Sequence, residues 1–333
     1  MSVVSRSERI LITGGTGFTG RPLAQRLRDD GNEVLALGYD PREPEAARFD
    51  LCKFDSITKT LLEFRPDVVV HLAGIAATQH KVLDQMYSAN VVGTANLFAA
   101  LLNSNVRPRL IIMASSAQVY GPIVSGMLID EQSSVKPNTH YGISKHTAEE
   151  IASIYSRQFS VLICRPFNYT GPGQTTEFLV PKIVEHYVER RHEIRLGNLD
   201  LYRDLSDVNR VVEAYARLIA NSPRFDVVNI CSGRAVHLAD IVPIMDDLAG
   251  YTMKVVPAPE FLRKDEPRTV VGSPSRLEAW VGPLPNPELR ETLTRMYAQG
   301  CKAHGSKAHL QVTSSGPAAI ARHDIHPHSA EPK

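Results

Sequence analysis

Apolar positions in the first half of the chain fall into short runs separated by longer stretches of helical spacing. The runs are 9–13 (RILIT), 33–37 (EVLAL), 66–74 (PDVVVHLAG) and 109–114 (RLIIMA). Each is nearly continuous and β-branched, the pattern of strands buried on both faces of a parallel sheet. With one further short segment before Phe49, they count as strands one, two, four and five. Between them, 21–31 (RPLAQRLRDDG), 84–103 (DQMYSANVVGTANLFAALLN) and 141–155 (YGISKHTAEEIASIY) carry apolar residues at helical spacing. Strands alternating with helices of ten or more residues predict an α/β fold: a doubly wound parallel (Rossmann) sheet. From about residue 166 this rhythm breaks up. Helices are predicted over 178–191, 208–220 and 238–249, forming a smaller C-terminal substrate-binding lobe interleaved with returning strands. The expected organisation is a nucleotide-binding domain over 1–166, a substrate lobe over 167–299 and a disordered tail over 300–333, where Ser, Pro, Ala and His replace any sustained apolar period.

Composition narrows the partners. The 333 residues are 43% apolar, enough for a substantial interior, and 37 Lys and Arg nearly balance 36 Asp and Glu. This balance argues against nucleic acid or a membrane surface as partner, and no apolar run approaches the roughly 20 residues of a membrane span. Cys52, Cys164, Cys231 and Cys301 lie far apart with no CxxC pair, the pattern of free thiols in a reducing, cytoplasmic setting. The opening MSVVSRSERILITGG lacks a signal-peptide layout. His323, His326 and His328 stand on the tail, and no metal site is expected there.

Candidate chemistry follows the strand ends. Gly14-Gly15-Thr16-Gly17-Phe18-Thr19-Gly20 joins the first strand to a helix, the order in which backbone N–H groups approach a pyrophosphate at the positive end of a helix. The second strand ends at Gly38, where an NAD-preferring fold usually has a carboxylate for the ribose 2′-hydroxyl. Glycine leaves room for a 2′-phosphate, with Arg42 placed to pair with it. Asp40 argues the other way. The cofactor is thus NADPH or NADH, the balance tipping to NADP. Asp50, beside Leu51, reads as a ligand of an adenine amino group or as an ordinary loop carboxylate. Ala73 and Gly74 let a cofactor pass close to the fourth strand. Asn90 is either a satisfied core amide or a support for the catalytic loop.

Ser116 stands at the end of the fifth strand, 25 residues before Tyr141. Tyr141 and Lys145 are four apart on one helix and so share a face. A neighbouring ammonium is expected to lower the phenol's pKa from about 10. That would match it to an alcohol/ketone pair, while the serine hydroxyl polarises a carbonyl.

TGGTGFTG, HLAG, NVVGT, SSAQVYG and YGISK, in that order, resemble the extended short-chain dehydrogenase/reductase family. The resemblance implies Ser116, Tyr141 and Lys145 as catalytic residues. It implies a cofactor site of Gly14, Thr16, Gly17, Phe18, Gly20, Arg42, Asp50, Leu51, Leu72, Ala73, Gly74, Asn90, Tyr141, Lys145 and Pro166. RPFNYTGPGQ (165–174), YRDLSDV (202–208), VNICSG (228–233) and FLRKDE (261–266) extend it to about residue 282. They point to the branch that reduces the C4 ketone of GDP-linked 4-keto-6-deoxy sugars. In that branch Asn168 would hold the sugar or diphosphate, Arg203 the diphosphate, and Arg263 with Glu266 the nucleoside. The implied reaction takes GDP-4-keto-6-deoxy-D-mannose to GDP-D-rhamnose. The C4 stereoisomer, a GDP-6-deoxy-talose, and a 4-epimerase with tightly held NAD are the alternatives. Ala117-Gln118 carries neither the carboxylate of the family's dehydratases nor the cysteine of its 3,5-epimerase/reductases. His140 stands where the family usually has a small residue and is expected to be a spectator. A homodimer is expected from the resemblance.

Overall fold

The apolar runs become the middle of a parallel sheet because helices cover both of its faces. A computed structural model of the chain describes residues 7–38, 49–76, 82–122, 128–221, 226–261 and 266–305. The first part runs β1 (Arg9–Thr13), α1 (Gly20–Asp29), β2 (Glu33–Leu37), α2 (Phe54–Phe64), β3 (Val68–His71) and α3 (Leu83–Tyr87). A π-helical turn (Ser88–Val92), α4 (Gly93–Asn103), β4 (Leu110–Ala114), a 3₁₀ turn (Ala117–Tyr120), β5 (Leu128–Ile129), α5 (His140–Ile154) and β6 (Val161–Pro166) follow. The remainder is β7 (Asn168–Thr170), α6 (Leu179–Val188), β8 (Glu193–Leu196), β9 (Tyr202–Asp207), α7 (Val208–Asn221), β10 (Asp226–Ile230), β11 (Ala235–His237), α8 (Ile241–Ala249), β12 (Lys254–Pro257), β13 (Thr269–Gly272), α9 (Ser275–Val281) and α10 (Leu289–Ala303).

The main sheet has the order β10-β6-β4-β3-β1-β2, every pair parallel. Side chains alternate between two cores. Ile10, Ile12, Val68, Val70, Leu110 and Ile112 pack with α1, α7 and α9, while Leu11, Val69, Ile111 and Met113 pack with α2, α4 and α5. Burial of each such side chain contributes about 1.5–3 kcal/mol. A third core lies among α6, α8, α10 and the β8/β12 pair. Between the two bodies β9 pairs with β7, β11 and β13.

Several expectations are revised. Among the described residues the 66–74 and 109–114 runs form the third and fourth strands of the chain, not the fourth and fifth. The 84–103 helix is broken by a π turn around Asn90. The lobe is interleaved with the first body: α7, β10 and α9, all after residue 166, pack with it. Helix α10 carries ordered chain past 300: Tyr297 and Cys301 are buried in the lobe core and hold it. Residues 306–333, with the three tail histidines, lie outside the described residues.

The four cysteines are free. Among the described residues no helix is long and apolar enough to cross a membrane, and no group of three or more His, Cys, Asp or Glu is arranged to hold a metal.

Candidate active site

The catalytic helix begins where Thr139 caps it. The Thr139 hydroxyl accepts from the Gly142 amide at 3.0 Å and donates to Gln118 Oε1 at 3.1 Å. Gly142 faces the Gln118 carbonyl, and a Cβ there would lie 2.6 Å from the oxygen. Only glycine therefore lets the first turn of α5 rest on the turn that carries Ser116. Ser116 ends an extended segment and caps that turn, its hydroxyl accepting from Gln118 N at 3.2 Å. The docking brings the Tyr141 phenol into the reach of the Ser116 hydroxyl. Lys145 follows one turn later and is buried.

The electrostatics depart from expectation at the phenol. Burial holds Tyr141 well above the ordinary phenol range and Tyr169 adds to this, while the Ser116 hydroxyl works against it. Desolvation disfavours phenolate and ammonium alike. It therefore outweighs the acidification expected from the pair's spacing, and the phenol is a proton donor across the working pH range. Burial pulls Lys145 down to about 8, against the pull of Glu149, which holds it up.

A buried polar chain ties this helix to the glycine turn. Asn90, 1% exposed on the π turn, accepts from Ile75 N at 2.8 Å and donates to Ile75 O at 3.2 Å and Ser144 Oγ at 2.9 Å. Ser144 donates in turn to the Tyr141 carbonyl at 2.8 Å. π turns often mark functional sites; here one aims an amide at the loop after β3. A Cβ at Gly74 would sit 2.8 Å from Asn90 Oδ1 and 3.4 Å from Lys145 Nζ. His71 bridges Thr13 Oγ1 (2.7 Å to Nδ1) and Thr94 Oγ1 (3.0 Å to Nε2). Thr94 donates to the Asn90 carbonyl at 2.7 Å, so Nε2 carries the ring proton and Nδ1 accepts from Thr13. Burial, with Lys145 nearby, lowers His71 to about 3 and keeps it neutral.

The glycine turn fits a dinucleotide. Gly14 has φ 71°, and a Cβ there would meet Ala73 N at 2.7 Å; one on Gly20 would meet the Gly14 carbonyl at 2.2 Å. No side chain caps the N-terminus of α1, because the Thr19 hydroxyl is bonded to Tyr169 at 2.8 Å. The glycine turn leading into the positive end of this helix suits a pyrophosphate. Thr16 backs onto the end of β2, where a Cβ on Gly38 would lie 2.0 Å from its hydroxyl.

Other predicted residues are distributed as follows. The Phe18 ring stacks on Tyr169, centroids 5.6 Å apart. Asp50 accepts from Cys52 N at 2.9 Å, bracing its own turn. Leu51 and Leu72 point into the cores. Ala73 N bonds Thr13 Oγ1 at 3.4 Å. Pro166 ends β6 beside Ile230. Asn168 is exposed at the start of β7, next to β9. Arg203 is buried on β9, donating to Tyr202 O at 2.8 Å, Arg268 O at 3.2 Å and Glu266 Oε1 at 3.0 Å. Arg203 and Glu266, expected at opposite ends of a substrate, are thus one ion pair. His140 Nδ1 lies 3.1 Å from the Tyr87 hydroxyl. Arg42, Asp40 and Arg263 lie outside the described residues. Sequence reasoning missed three contributors. They are His71, visible only as the polar residue of an apolar strand; Tyr169, linking the glycine turn to Tyr141; and Arg21, whose Nε donates to the Thr16 carbonyl at 2.5 Å.

Three comparisons bear on this arrangement. The profile of the NAD dependent epimerase/dehydratase family matches residues 10–231. The chain is 33% identical to a GDP-6-deoxy-D-talose 4-dehydrogenase of Aggregatibacter actinomycetemcomitans over 81% of its length and 90% of the relative's. It is 29% identical to a GDP-6-deoxy-D-mannose reductase of Pseudomonas aeruginosa over 86% and 95%. Among solved structures it resembles RMD from Pseudomonas aeruginosa complexed with NADPH, with TM-score 0.80, 27% identity and coverage of 89% of this chain and 100% of that one.

Proposed function

Because the chain belongs to the NAD dependent epimerase/dehydratase family and is an NAD(P)-dependent oxidoreductase of the extended short-chain type, we propose that it reduces the C4 ketone of GDP-4-keto-6-deoxy-D-mannose to give GDP-D-rhamnose. The observation that carries the reading is the meeting of the Ser116 turn with the first turn of α5 through Gly142 and Gln118, beside a buried Lys145 whose Nζ lies by the loop after β3. A bound nicotinamide coenzyme supplies the hydride. Gly14, Gly17 and Gly20 would hold its pyrophosphate at the start of α1, and Lys145 would hold its ribose. Tyr141, kept protonated by burial, gives its proton to the oxygen at C4. Ser116 donates to the same oxygen and fixes its position. General acid help of this kind is worth about 10²–10⁴ in rate. Asn168 and the Arg203–Glu266 pair face the nucleotide portion of the sugar. NADP is preferred, because Gly38 carries no carboxylate and Arg21 stands beside Thr16. The enzyme works as a homodimer in the cytoplasm; the exposed apolar Leu102, Ile143 and Ile154 on α4 and α5, and the free thiols, support these two points.

The talose relative favours a second outcome, the C4 stereoisomer. The test is NADPH oxidation with GDP-4-keto-6-deoxy-D-mannose, followed by NMR of the product. One NADPH consumed per sugar with an equatorial C4 hydroxyl supports rhamnose; an axial hydroxyl supports the talose product. No net NADPH consumption, with interconversion of C4 epimers, overturns reduction in favour of an epimerase. Tyr141→Phe retaining near-full activity removes the phenol from the mechanism.

A further inference from the structure

One turn beyond Lys145 on α5 stands Glu149, buried, with both carboxylate oxygens taken by one guanidinium. Arg165 Nε donates to Oε1 at 2.9 Å and Nη2 to Oε2 at 2.6 Å. Arg165 is 5% exposed and Glu149 4%. Arg165 precedes Pro166 at the end of β6, and its guanidinium lies 4.9 Å from the centroid of the Tyr120 ring. Tyr120 closes the turn that Ser116 opens, and its hydroxyl donates to Asn229 Oδ1 on β10 at 2.7 Å. Two full charges are thus enclosed directly behind the catalytic helix.

A buried ion pair is a poor source of stability, since desolvating both ions offsets their attraction and an apolar pair of similar volume often does as well. Ala148 and Ala152, beside Glu149 on α5, already pack into the apolar core. The charges therefore call for another explanation, and their position supplies one. Residues four apart on a helix are neighbours, so the Glu149 carboxylate is the nearest fixed negative charge along α5 to Lys145.

We propose that Glu149 and Arg165 are a positioning pair that sets how firmly Lys145 holds its proton: the carboxylate favours the ammonium, and the guanidinium limits how much negative charge Lys145 feels. The proposal rests on the reading that Lys145 acts as an ammonium. Burial draws the Lys145 ammonium down to about 8 and Glu149 opposes this. The other titratable groups beside Lys145 are Tyr141, one turn earlier on the same face of α5, and His71 from β3, neutral in the working range. Around Glu149 stand Arg165 from β6 and His146 from α5, its Nδ1 3.8 Å from Oε2. Tyr120, beyond Arg165, is in turn faced by Glu131.

The test reads the proton on Lys145 directly. The side-chain Cε and Nζ resonances of Lys145, assigned by their loss in Lys145→Met, are titrated in protein without cofactor. Glu149→Gln should lower the midpoint by on the order of one pH unit. Arg165→Gln, which uncovers the carboxylate, should raise it. The double variant should fall between, and His146→Gln should leave it in place. The alkaline limb of kcat/KM should move in the same directions. A midpoint unmoved in both single variants, with only a lower melting temperature, overturns the proposal. If Glu149→Gln does not fold, Glu149→Asp, which draws the carboxylate back from Lys145, must still lower the midpoint. A fixed midpoint with intact ketone reduction defeats the pair alone. A shifted midpoint in a protein that reduces no nucleotide sugar defeats the proposed function alone.

Discussion

Gly142 and the Gln118 carbonyl stand so close that a methyl group on Gly142 would lie 2.6 Å from the oxygen. Elsewhere in a helix, Gly to Ala gains roughly 0.5–1 kcal/mol. Here the gain reverses, since forcing apart well-packed elements costs about 1–3 kcal/mol. Gly142→Ala should melt at a lower temperature. It should also lose about 10²-fold in kcat, because α5 must shift and carry Tyr141 away from Ser116. Calorimetry and steady-state kinetics check the two effects.

Gly38 touches Thr16 in the same manner, with 2.0 Å from a Cβ to the hydroxyl. Gly38→Asp must displace Thr16 and sets a carboxylate where an NAD-preferring fold would hold the ribose 2′-hydroxyl. Both coenzymes should bind less well, NADPH more so, with the NADPH:NADH ratio of kcat/KM falling by about tenfold or more. An unchanged ratio would remove Gly38 from coenzyme choice.

His71 is neutral in the folded protein, its pKa lowered to about 3 from 6.5. The unfolded chain binds a proton there that the native state does not. The associated stability is therefore present above pH 6.5 and is lost as pH falls through the window between 6.5 and about 3. The slope is up to about 1.36 kcal/mol per pH unit for one proton. His71→Gln should lower stability at neutral pH and flatten this acid limb, as urea unfolding at several pH values would read.

Arg203 satisfies two carbonyls and Glu266 from one buried guanidinium. Lysine cannot reproduce that fork. Arg203→Lys should raise KM for the GDP-sugar by about tenfold, consistent with roughly 1.4 kcal/mol of lost binding. The dissociation constant for NADPH should stay fixed, as fluorescence titration would show.

Strands β1 and β2 and the alternating core were legible because a sheet buried on both faces leaves long apolar runs. So was the spacing that puts Tyr141 and Lys145 on one face, since helical geometry is local. What the chain alone did not disclose depends on contacts between distant segments. The π turn at Asn90 exists because its amide must meet both Ile75 and Ser144, 15 and 54 residues away. The raised phenol of Tyr141 reflects burial by the whole fold, which spacing cannot measure. The pairing of Glu266 with Arg203, 63 residues away, likewise depends on how β9 and β13 come together. Helix α10 was overlooked because Leu293, Met296, Tyr297 and Cys301 are sparse anchors in an otherwise polar stretch.

Strand β10 reaches its place beside β6 only after the chain has built β7, α6, β8 and β9. A gene fragment ending at residue 166 would lack that strand and leave β6 with a bare row of backbone donors and acceptors, inviting other chains to add on. Neither half should be recoverable as an independent soluble piece by simple truncation. During synthesis the dinucleotide half must wait for later residues before its edge is sealed.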